Sequence, residues 1–235
     1  MHPATRLLGL ALPLFLLAAP VRADENHLSA ADQAAGYHLL FDGTTLNGWR
    51  SMTGPAPGAG WKVIDGAITR TAASGDLLTA GTFGDFDLLI DWKVEDATNS
   101  GILYRINLGY AHSYHTGPEY QILDNIKGGD RFEPKHRAGA LYDLVAPPQD
   151  YTRPVGEWNQ TRIRVRGWHV EHWLNGEKIV DTDLSTPAGR ALIAGSKFKQ
   201  WPAFATFATG HIALQDHDNS VSFRNIRILE LPPGS

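Results

Sequence analysis

Residues 99–142 hold side chains whose types and spacing suit proton transfer and the binding of hydroxyl groups. Glu119 and Gln121 are two residues apart, and side chains with that spacing point to the same face of a strand. A carboxyl group can exchange a proton within hydrogen-bond reach, and an amide can hold a hydroxyl group. The alternative is a solvated outer face of an antiparallel sheet. Arg105 shares the parity of Glu119 and Gln121 within its own strand, or lies at the strand end. Further candidates in this segment are Tyr104, Asp124, Asn125 and Tyr142.

A second polar cluster, Gln215-Asp216-His217, comes just before the last predicted strand. Turns rich in Asp and Asn are common, but a turn does not need an imidazole, so His217 is the informative member. A histidine is present in both protonation states near neutral pH. Lys197 adds a cation that can stabilise developing negative charge. Glu119, Asp216 and His217 are also candidate ligands for a divalent metal, but without a fixed ligand spacing we favour a site without metal.

Several common catalytic devices are missing from the sequence. The chain has no cysteine, which excludes thiol catalysis and thiolate metal sites. No serine lies in a nucleophile-elbow pattern. Glu119 has no acidic partner in a Glu-x-x-x-Glu spacing, and Asp124 follows it by five residues, on the other face or past the strand end. These features favour chemistry that does not need a matched pair of carboxylates.

The elements that position these residues are predicted to be strands. Residues 86–94 alternate between apolar and mostly polar side chains, which predicts one buried face and one solvated face. Residues 101–104 and 120–123 read as inner strands. Asn175-Gly176 and Asp65-Gly66 are strong signals for two-residue hairpin turns. Many short strands without a blade-length repeat predict an all-β sandwich rather than a propeller.

Local signals refine this picture. The apolar spacing changes phase at Arg224-Asn225, which predicts a β-bulge there. Ser29 is predicted to cap a short helical turn over residues 30–35. Aromatic side chains are expected to fill the core, and we place four tryptophans there: Trp49, Trp61, Trp92 and Trp158.

Composition and the N-terminus bear on where the protein works. The 235 residues carry a net charge of −4 with both signs interspersed, which argues against a nucleic-acid partner. Residues 1–23 read as a signal peptide, with Arg6, an apolar run and Val21-Arg22-Ala23 as the cleavage site. The run is too short to span a membrane. We therefore expect a periplasmic or secreted protein, with a lead-in at 24–36 and one domain at 37–232.

Nine motifs follow one another along the chain. They are Phe41-Asp42-Gly43, Trp61-Lys62-Val63, Asn99-Ser100-Gly101, Gly117-Pro118-Glu119-Tyr120-Gln121, Ala138-Gly139-Ala140-Leu141-Tyr142, Gly156-Glu157-Trp158, Leu174-Asn175-Gly176, Gln215-Asp216-His217 and Phe223-Arg224-Asn225. The order of these motifs resembles the 3-keto-disaccharide hydrolase family, and the resemblance spans nearly all of residues 37–231. Two positions depart from the family pattern: Ala138 precedes Gly139 where Thr is more usual, and Asp218 follows His217 where Gly is frequent.

This resemblance implies a concanavalin A-like jelly-roll fold and activity on glycosides that are oxidised to a ketone at C3. Loss of the C2 proton then gives an enolate, which expels the leaving group from C1, and the product adds water. We expect Glu119, His217 and Asp124 to transfer protons, and Arg105 or Lys197 to face the C3 oxygen. The substrate-binding candidates are Tyr104, Gln121, Asn125, Tyr142, Lys197 and Gln215.

Two other functions stay open on the sequence. The same fold hosts lectin-like modules, which bind a glycan without cleaving it, and Tyr104 is one aromatic platform for such binding. Ordinary glycoside hydrolysis by two carboxylates is the other alternative. The sequence leaves open the sugar, the aglycone, the need for a metal and the oligomeric state.

Overall fold

The computed structural model describes residues 25–217 and 219–233. The predicted signal peptide and Asp218 lie outside these residues. Within them, none of the helices is long and apolar enough to cross a membrane. The strands are β1 (His38–Leu39), β2 (Trp49–Ser51), β3 (Trp61–Ile64), β4 (Ala67–Arg70), β5 (Leu77–Thr79), β6 (Phe86–Val94), β7 (Asn99–Ile106), β8 (Glu119–Leu123), β9 (Asn159–Arg166), β10 (His169–Leu174), β11 (Glu177–Asp183), β12 (His211–Leu214) and β13 (Val221–Glu230). The helices are α1 (Ala30–Ala35) and α2 (Pro187–Gly195), with short 3-10 turns at Ser113–His115, Pro134–His136 and Lys197–Gln200.

The strands form two antiparallel sheets. The eight-stranded sheet has the order β11-β10-β9-β6-β13-β4-β3, with β1 paired to β13, and the five-stranded sheet has the order β2-β5-β12-β7-β8. Their inward faces meet in one apolar core, to which Phe86 and Trp92 contribute from one sheet and Tyr104 and Tyr120 from the other. The predicted all-β sandwich is confirmed.

The predicted hairpin turns are confirmed by the backbone. Asn175 and Gly176 have φ angles of 52° and 93°, and Asp65 and Gly66 have φ angles of 49° and 73°. Two consecutive residues at positive φ give the turn whose twist matches the flanking strands, and Asn-Gly and Asp-Gly adopt it at low cost. These turns fix the registers of β10 with β11 and of β3 with β4.

The bulge and the N-terminal cap are also confirmed. The register of β13 against β6 shifts between Arg224 and Arg227, and Asn225 has a φ of 54°. The Ser29 hydroxyl accepts the Asp32 backbone N–H at 3.0 Å at the start of α1. The lead-in is tied to the sandwich, because Asn26 Oδ1 accepts the Asn225 backbone N–H at 2.9 Å.

The outer face of β6 corrects one expectation. Asp87 and Asp91 were predicted to be solvated, but they are only 3% and 7% exposed. Arg162 forms an ion pair with Asp87, and the Asn225 amide donates to Asp91 Oδ2 at 2.7 Å. Neighbouring polar side chains therefore cover this face, and alternation alone does not distinguish a solvated carboxylate from a paired one.

The four tryptophans that were predicted to lie in the core differ in burial. Trp49, Trp61 and Trp92 are buried in the core, as predicted. Trp158 is only partly buried, so its assignment to the core was wrong. Its ring packs against cationic side chains, with Lys93 Nζ at 5.0 Å and Arg224 Cζ at 4.0 Å from the ring centroid.

Candidate functional site

The outer face of the five-stranded sheet carries a polar patch where β7 and β8 pair. Glu119 and Gln121 project there from β8, while Tyr120 between them enters the core. Gly101 of β7 lies opposite Gln121. A Cβ atom on Gly101 would overlap the Glu119 carboxyl group, so the glycine leaves the space that this side chain occupies. The predicted pairing of Glu119 with Gln121 on one face is present in the structure.

Loops complete a cavity of about 120 Å³ over this patch. The sequence-predicted residues Tyr142, Lys197, Gln215 and His217 all line it, although up to about a hundred residues separate them along the chain from Glu119. The full lining is Asn99, Tyr114, Glu119, Gln121, Tyr142, Lys197, Gln215 and His217. The fold therefore brings six of the candidates that were predicted from the sequence into one cavity.

Glu119 is a neutral carboxylic acid at physiological pH. Its side chain is buried, and this burial raises its pKa from 4.5 to about 8. The ammonium group of Lys197 opposes the shift, and the carboxylates of Asp76 and Asp130 add to it. The described part of the chain offers the Glu119 carboxyl no hydrogen bond. A buried proton donor facing a cavity is suited to general acid catalysis.

Two amide oxygens in this cavity lack hydrogen-bond donors among the described residues. They are Oε1 of Gln121 and Oε1 of Gln215, and both are buried. Gln121 is held from its other end, where its amide nitrogen donates to Asn99 Oδ1 at 3.2 Å. A buried polar atom without a partner is costly, so these oxygens are the acceptors that a hydroxyl group bound in the cavity would satisfy.

Lys197 and Tyr142 form one wall of the cavity, where the ammonium group packs over the aromatic ring. Lys197 begins a 3-10 turn after α2, and its backbone N–H donates to Asp143 Oδ2 at 2.7 Å. Its Nζ lies 4.1 Å from the centroid of the Tyr142 ring. The Tyr142 hydroxyl donates to Asp130 Oδ2 at 3.1 Å. Burial, followed by the Asp130 and Glu119 carboxyl groups, raises the pKa of Tyr142, so it stays protonated.

A larger cavity of about 350 Å³ adjoins the first. Tyr114, Gln215 and His217 line both. Asp76, which immediately precedes β5, lines the larger one, and burial raises the pKa of its carboxyl group. Sequence reasoning missed Asp76, because it is distant from Glu119 along the chain and lies in a short Ser-Gly-Asp segment without a catalytic motif.

Arg105 lies outside both cavities, so its assignment to the cation at the C3 oxygen does not fit the structure. The register of β7 against β12 shifts beside Arg105, which has a φ of 57°. This irregularity breaks the alternation that placed Arg105 on the face of Glu119. Its guanidinium instead donates to the backbone oxygens of Gly84 and Gly167 and pairs with Asp85 at 3.0 Å.

Three further candidates also lie elsewhere. Asp124 ends β8 and accepts backbone N–H groups, including that of Ala97 at 2.8 Å. Burial opposes ionisation of Asp124, but these bonds hold its pKa below the usual range. Asn125 Oδ1 accepts the Ala138 N–H at 2.9 Å. Tyr104 is buried in the core. These positions indicate loop closure and packing rather than contact with a ligand.

The candidate ligands among the described residues do not fit a bound metal. Both carboxylate oxygens of Asp216 are occupied, by Arg70 on one side and by the backbone N–H groups of Ser74 and Gly75 on the other. Among the described residues, no group of three or more His, Cys, Asp or Glu side chains is arranged to hold a metal ion. Asp216 is therefore a structural anchor in this protein.

The fold and the site define a class of protein: an antiparallel β-sandwich with a polar cavity and a buried carboxyl group on the outer face of one sheet. Residues 36–229 match the family described as the 3-keto-alpha-glucoside-1,2-lyase-like domain, and the chain belongs to that family. The chain is also similar to a 3-keto-disaccharide hydrolase of Bacteroides thetaiotaomicron, at 33% identity over 88% of this chain and 82% of the relative. The protein is a glycoside-acting enzyme.

Solved structures agree with this class. A protein of Parabacteroides distasonis ATCC 8503, provisionally named a glycosyl hydrolase, superposes with a TM-score of 0.83 at 32% identity, covering 88% of this chain and 100% of that one. A second such protein of the same organism gives a TM-score of 0.60 at 28% identity, and the match covers 83% of this chain and 84% of that one. The sandwich is thus shared by relatives of recognisable sequence.

Proposed function

We propose that this enzyme cleaves 3-keto-glycosides by removing the C2 proton, eliminating the leaving group from C1 and then hydrating the product. The observation that carries the proposal is Glu119: a buried, protonated carboxyl group in a cavity that also presents an imidazole and an ammonium group. That set supplies an acid, a base and a cation, which are the three groups that an elimination next to a ketone requires.

His217 is the proposed base. A C3 ketone acidifies the C2 hydrogen, and the imidazole takes this proton as the C2–H electron pair forms the enolate. Lys197 faces the enolate oxygen, where its positive charge stabilises the charge that develops in the transition state. No other described cation lines this cavity.

Glu119 is the proposed acid. As the enolate collapses, the C1–O bond breaks, a C1=C2 double bond forms, and the leaving oxygen takes the Glu119 proton. Water then adds across the double bond, with hydroxyl at C1 and hydrogen at C2. The overall reaction consumes one water and releases a 3-keto sugar and an alcohol. Gln121 and Gln215 accept sugar hydroxyls, which gives partners to their buried oxygens.

The larger cavity is the proposed place for the leaving group. It shares His217 and Tyr114 with the smaller cavity, so a glycosidic bond at the border between the two cavities would join a sugar ring in each of them. A second sugar fits its mixed lining, which combines the Thr53 and Ser74 hydroxyls with the apolar side chain of Met52. The Ser74 hydroxyl oxygen is buried without a partner among the described residues.

Hydrolysis by two carboxylates has less support. Asp76 supplies a second acid near Glu119, but its two oxygens already accept the Ser113 hydroxyl and the Asp216 N–H. A two-carboxylate mechanism needs one ionised group free to act on the sugar or on water. Burial raises the pKa of both Asp76 and Glu119.

Incubation with a 3-keto-disaccharide and with its unoxidised parent tests the proposal. We expect release of the 3-keto sugar from the oxidised substrate and no turnover of the parent, because the parent lacks an acidic C2 hydrogen. Equal turnover of the parent would contradict the proposal and favour the two-carboxylate reaction. Binding of either sugar without any release would instead favour a lectin-like role.

We also propose that the mature enzyme starts at Asp24 and works in the periplasm or outside the cell. The support is the sequence of residues 1–23, with its charged start, apolar run and Val-x-Ala site. Mass spectrometry of the protein from its native compartment decides this. An intact Met1, or a protein confined to the cytosol, would contradict the proposal.

A further inference from the structure

Asp76 joins two segments that come from different parts of the chain. Its Oδ2 accepts the Ser113 hydroxyl at 2.6 Å, and its Oδ1 accepts the Asp216 backbone N–H at 2.9 Å. Ser113 begins a 3-10 turn, and Asp216 follows the end of β12. One carboxyl group therefore connects the turn that follows β7 with the loop that follows β12.

The Asp216 side chain in turn binds the backbone of the segment that contains Asp76. Its Oδ2 accepts the backbone N–H groups of Ser74 at 2.5 Å and Gly75 at 2.6 Å, immediately before Asp76. Arg70 pairs with the other oxygen of Asp216 and donates from Nη2 to the His217 backbone oxygen at 3.1 Å. The two aspartates thus form a reciprocal clamp: each side chain binds backbone from the other segment.

The clamped segments carry the residues at the border of the two cavities. Tyr114 follows Ser113 directly, and Gln215 and His217 flank Asp216. These three residues line both cavities. Because β12 ends at Leu214, His217 lies beyond the ladder, and Arg70, which pairs with Asp216 in the clamp, donates a hydrogen bond to its backbone oxygen.

We propose that Asp76 is a positioning residue: through its paired hydrogen bonds to Ser113 and Asp216, it sets the places of Tyr114 and His217 at the border between the cavities. The proposal deepens the proposed function, because it rests on His217 acting there. The clamp requires acceptor geometry at Asp76 and not a negative charge.

Asn and Ala at position 76 separate geometry from charge. In Asp76→Asn, the amide oxygen can still accept the Asp216 N–H, and the amide nitrogen can donate to Ser113 Oγ. We expect this variant to keep kcat within about threefold of wild type. Asp76→Ala loses both bonds, and we expect kcat to fall about 10²-fold, the cost of misplacing a reacting group by about 1 Å.

A structural readout makes the test independent of turnover. Hydrogen exchange of the Asp216 amide, measured by NMR, should accelerate at least tenfold in Asp76→Ala and remain slow in Asp76→Asn. Ser113→Ala loses one bond and keeps the other. We expect it to raise KM through Tyr114 while kcat and Asp216 exchange stay near wild type, and it replaces Asp76→Ala if that variant does not fold.

If Asp76→Asn loses as much kcat as Asp76→Ala while its Asp216 amide stays protected, Asp76 acts through its charge and the proposal is overturned. Unchanged exchange in Asp76→Ala, or a KM for Ser113→Ala equal to that of wild type, also overturns it. If wild type does not turn over any 3-keto-glycoside, the proposed function fails, and the exchange measurements still decide the clamp.

Discussion

The outer faces of the two sheets carry cavities of opposite character. On the eight-stranded sheet, a groove of about 680 Å³ lies over β4, β6 and β13, and we call it the β13 groove. On the five-stranded sheet, the cavity at Glu119 measures about 120 Å³. By volume alone the β13 groove would be the binding site.

Polar groups of the β13 groove largely bind one another. The hydroxyls of Thr69 and Ser222 are 3.0 Å apart, Arg224 pairs with Glu25, and Lys93 lies over Trp158. In the Glu119 cavity, by contrast, two buried amide oxygens have no donor among the described residues, and a carboxyl group is held neutral. The β13 groove also holds a buried atom without a hydrogen bond, Arg224 Nε, but that atom lies 3.8 Å from the Asp91 carboxylate. The two sites therefore differ most in the carboxyl group of Glu119, whose pKa is raised by burial.

The largest expected effect is at Glu119. Glu119→Gln keeps the shape of the side chain and removes the proton that it donates, so we expect turnover of a 3-keto-disaccharide to fall by about 10³–10⁴-fold. The measurement is the steady-state rate, with circular dichroism to establish that the variant is folded.

Ser222→Ala in the β13 groove is the matched control. It removes a polar group from the other sheet face, and we expect a rate equal to that of wild type. The comparison fails if Glu119→Gln keeps a near-wild-type rate, or if Ser222→Ala loses as much as Glu119→Gln does.

A smaller effect is expected at Lys197. Lys197→Met retains the aliphatic contact with Tyr142 and removes the charge, and loss of a group that stabilises an oxyanion costs about 10²–10³-fold in kcat. Lys197→Arg keeps the charge and should recover part of the rate. A Met variant that changes only KM would show that Lys197 binds the substrate without stabilising the enolate.

The pH dependence of the rate gives the next test. The acid must be protonated to act, and its pKa is about 8, so kcat/KM should decrease as pH rises through about 8. Above that pH each unit should lower the rate about tenfold, because the protonated fraction falls by that factor. A rate that is constant from pH 7 to pH 9.5 would contradict the assignment of Glu119 as the acid.

The smallest effect on catalysis is expected at Arg105. Arg105→Met breaks a buried ion pair with Asp85 and three hydrogen bonds to backbone oxygens, which should lower the free energy of unfolding by about 3 kcal/mol. Its kcat should stay within about twofold of wild type at a temperature where the variant is folded. Chemical denaturation and steady-state kinetics measure the two quantities. A large loss of kcat without a loss of stability would show that Arg105 acts in catalysis after all.

Local signals in the sequence were enough to predict much of the fold and the centre of the site. Asn175-Gly176 and Asp65-Gly66 determine their turns through the φ angles that they tolerate, and the phase change at Arg224-Asn225 predicts a bulge. Glu119 and Gln121 could be paired because a strand has a period of two residues. These are properties of adjacent residues.

The failures arise where a residue depends on partners that are distant along the chain. Arg105 was placed on the wrong face because an irregularity in β7, seen only in the pairing with β12, interrupts the alternation. Asp76 was missed because its partners, Ser113 and Asp216, lie 37 and 140 residues away. No pattern local to residue 76 contains that information.

The measurement that tests the central claim most directly is the fate of the C2 hydrogen. In heavy water, the released 3-keto sugar should carry solvent deuterium at C2, because the original hydrogen leaves as a proton and water adds across the C1=C2 bond. The matched control is the product incubated with enzyme, which measures exchange after release. A product that keeps its original C2 hydrogen would rule out elimination and establish direct hydrolysis.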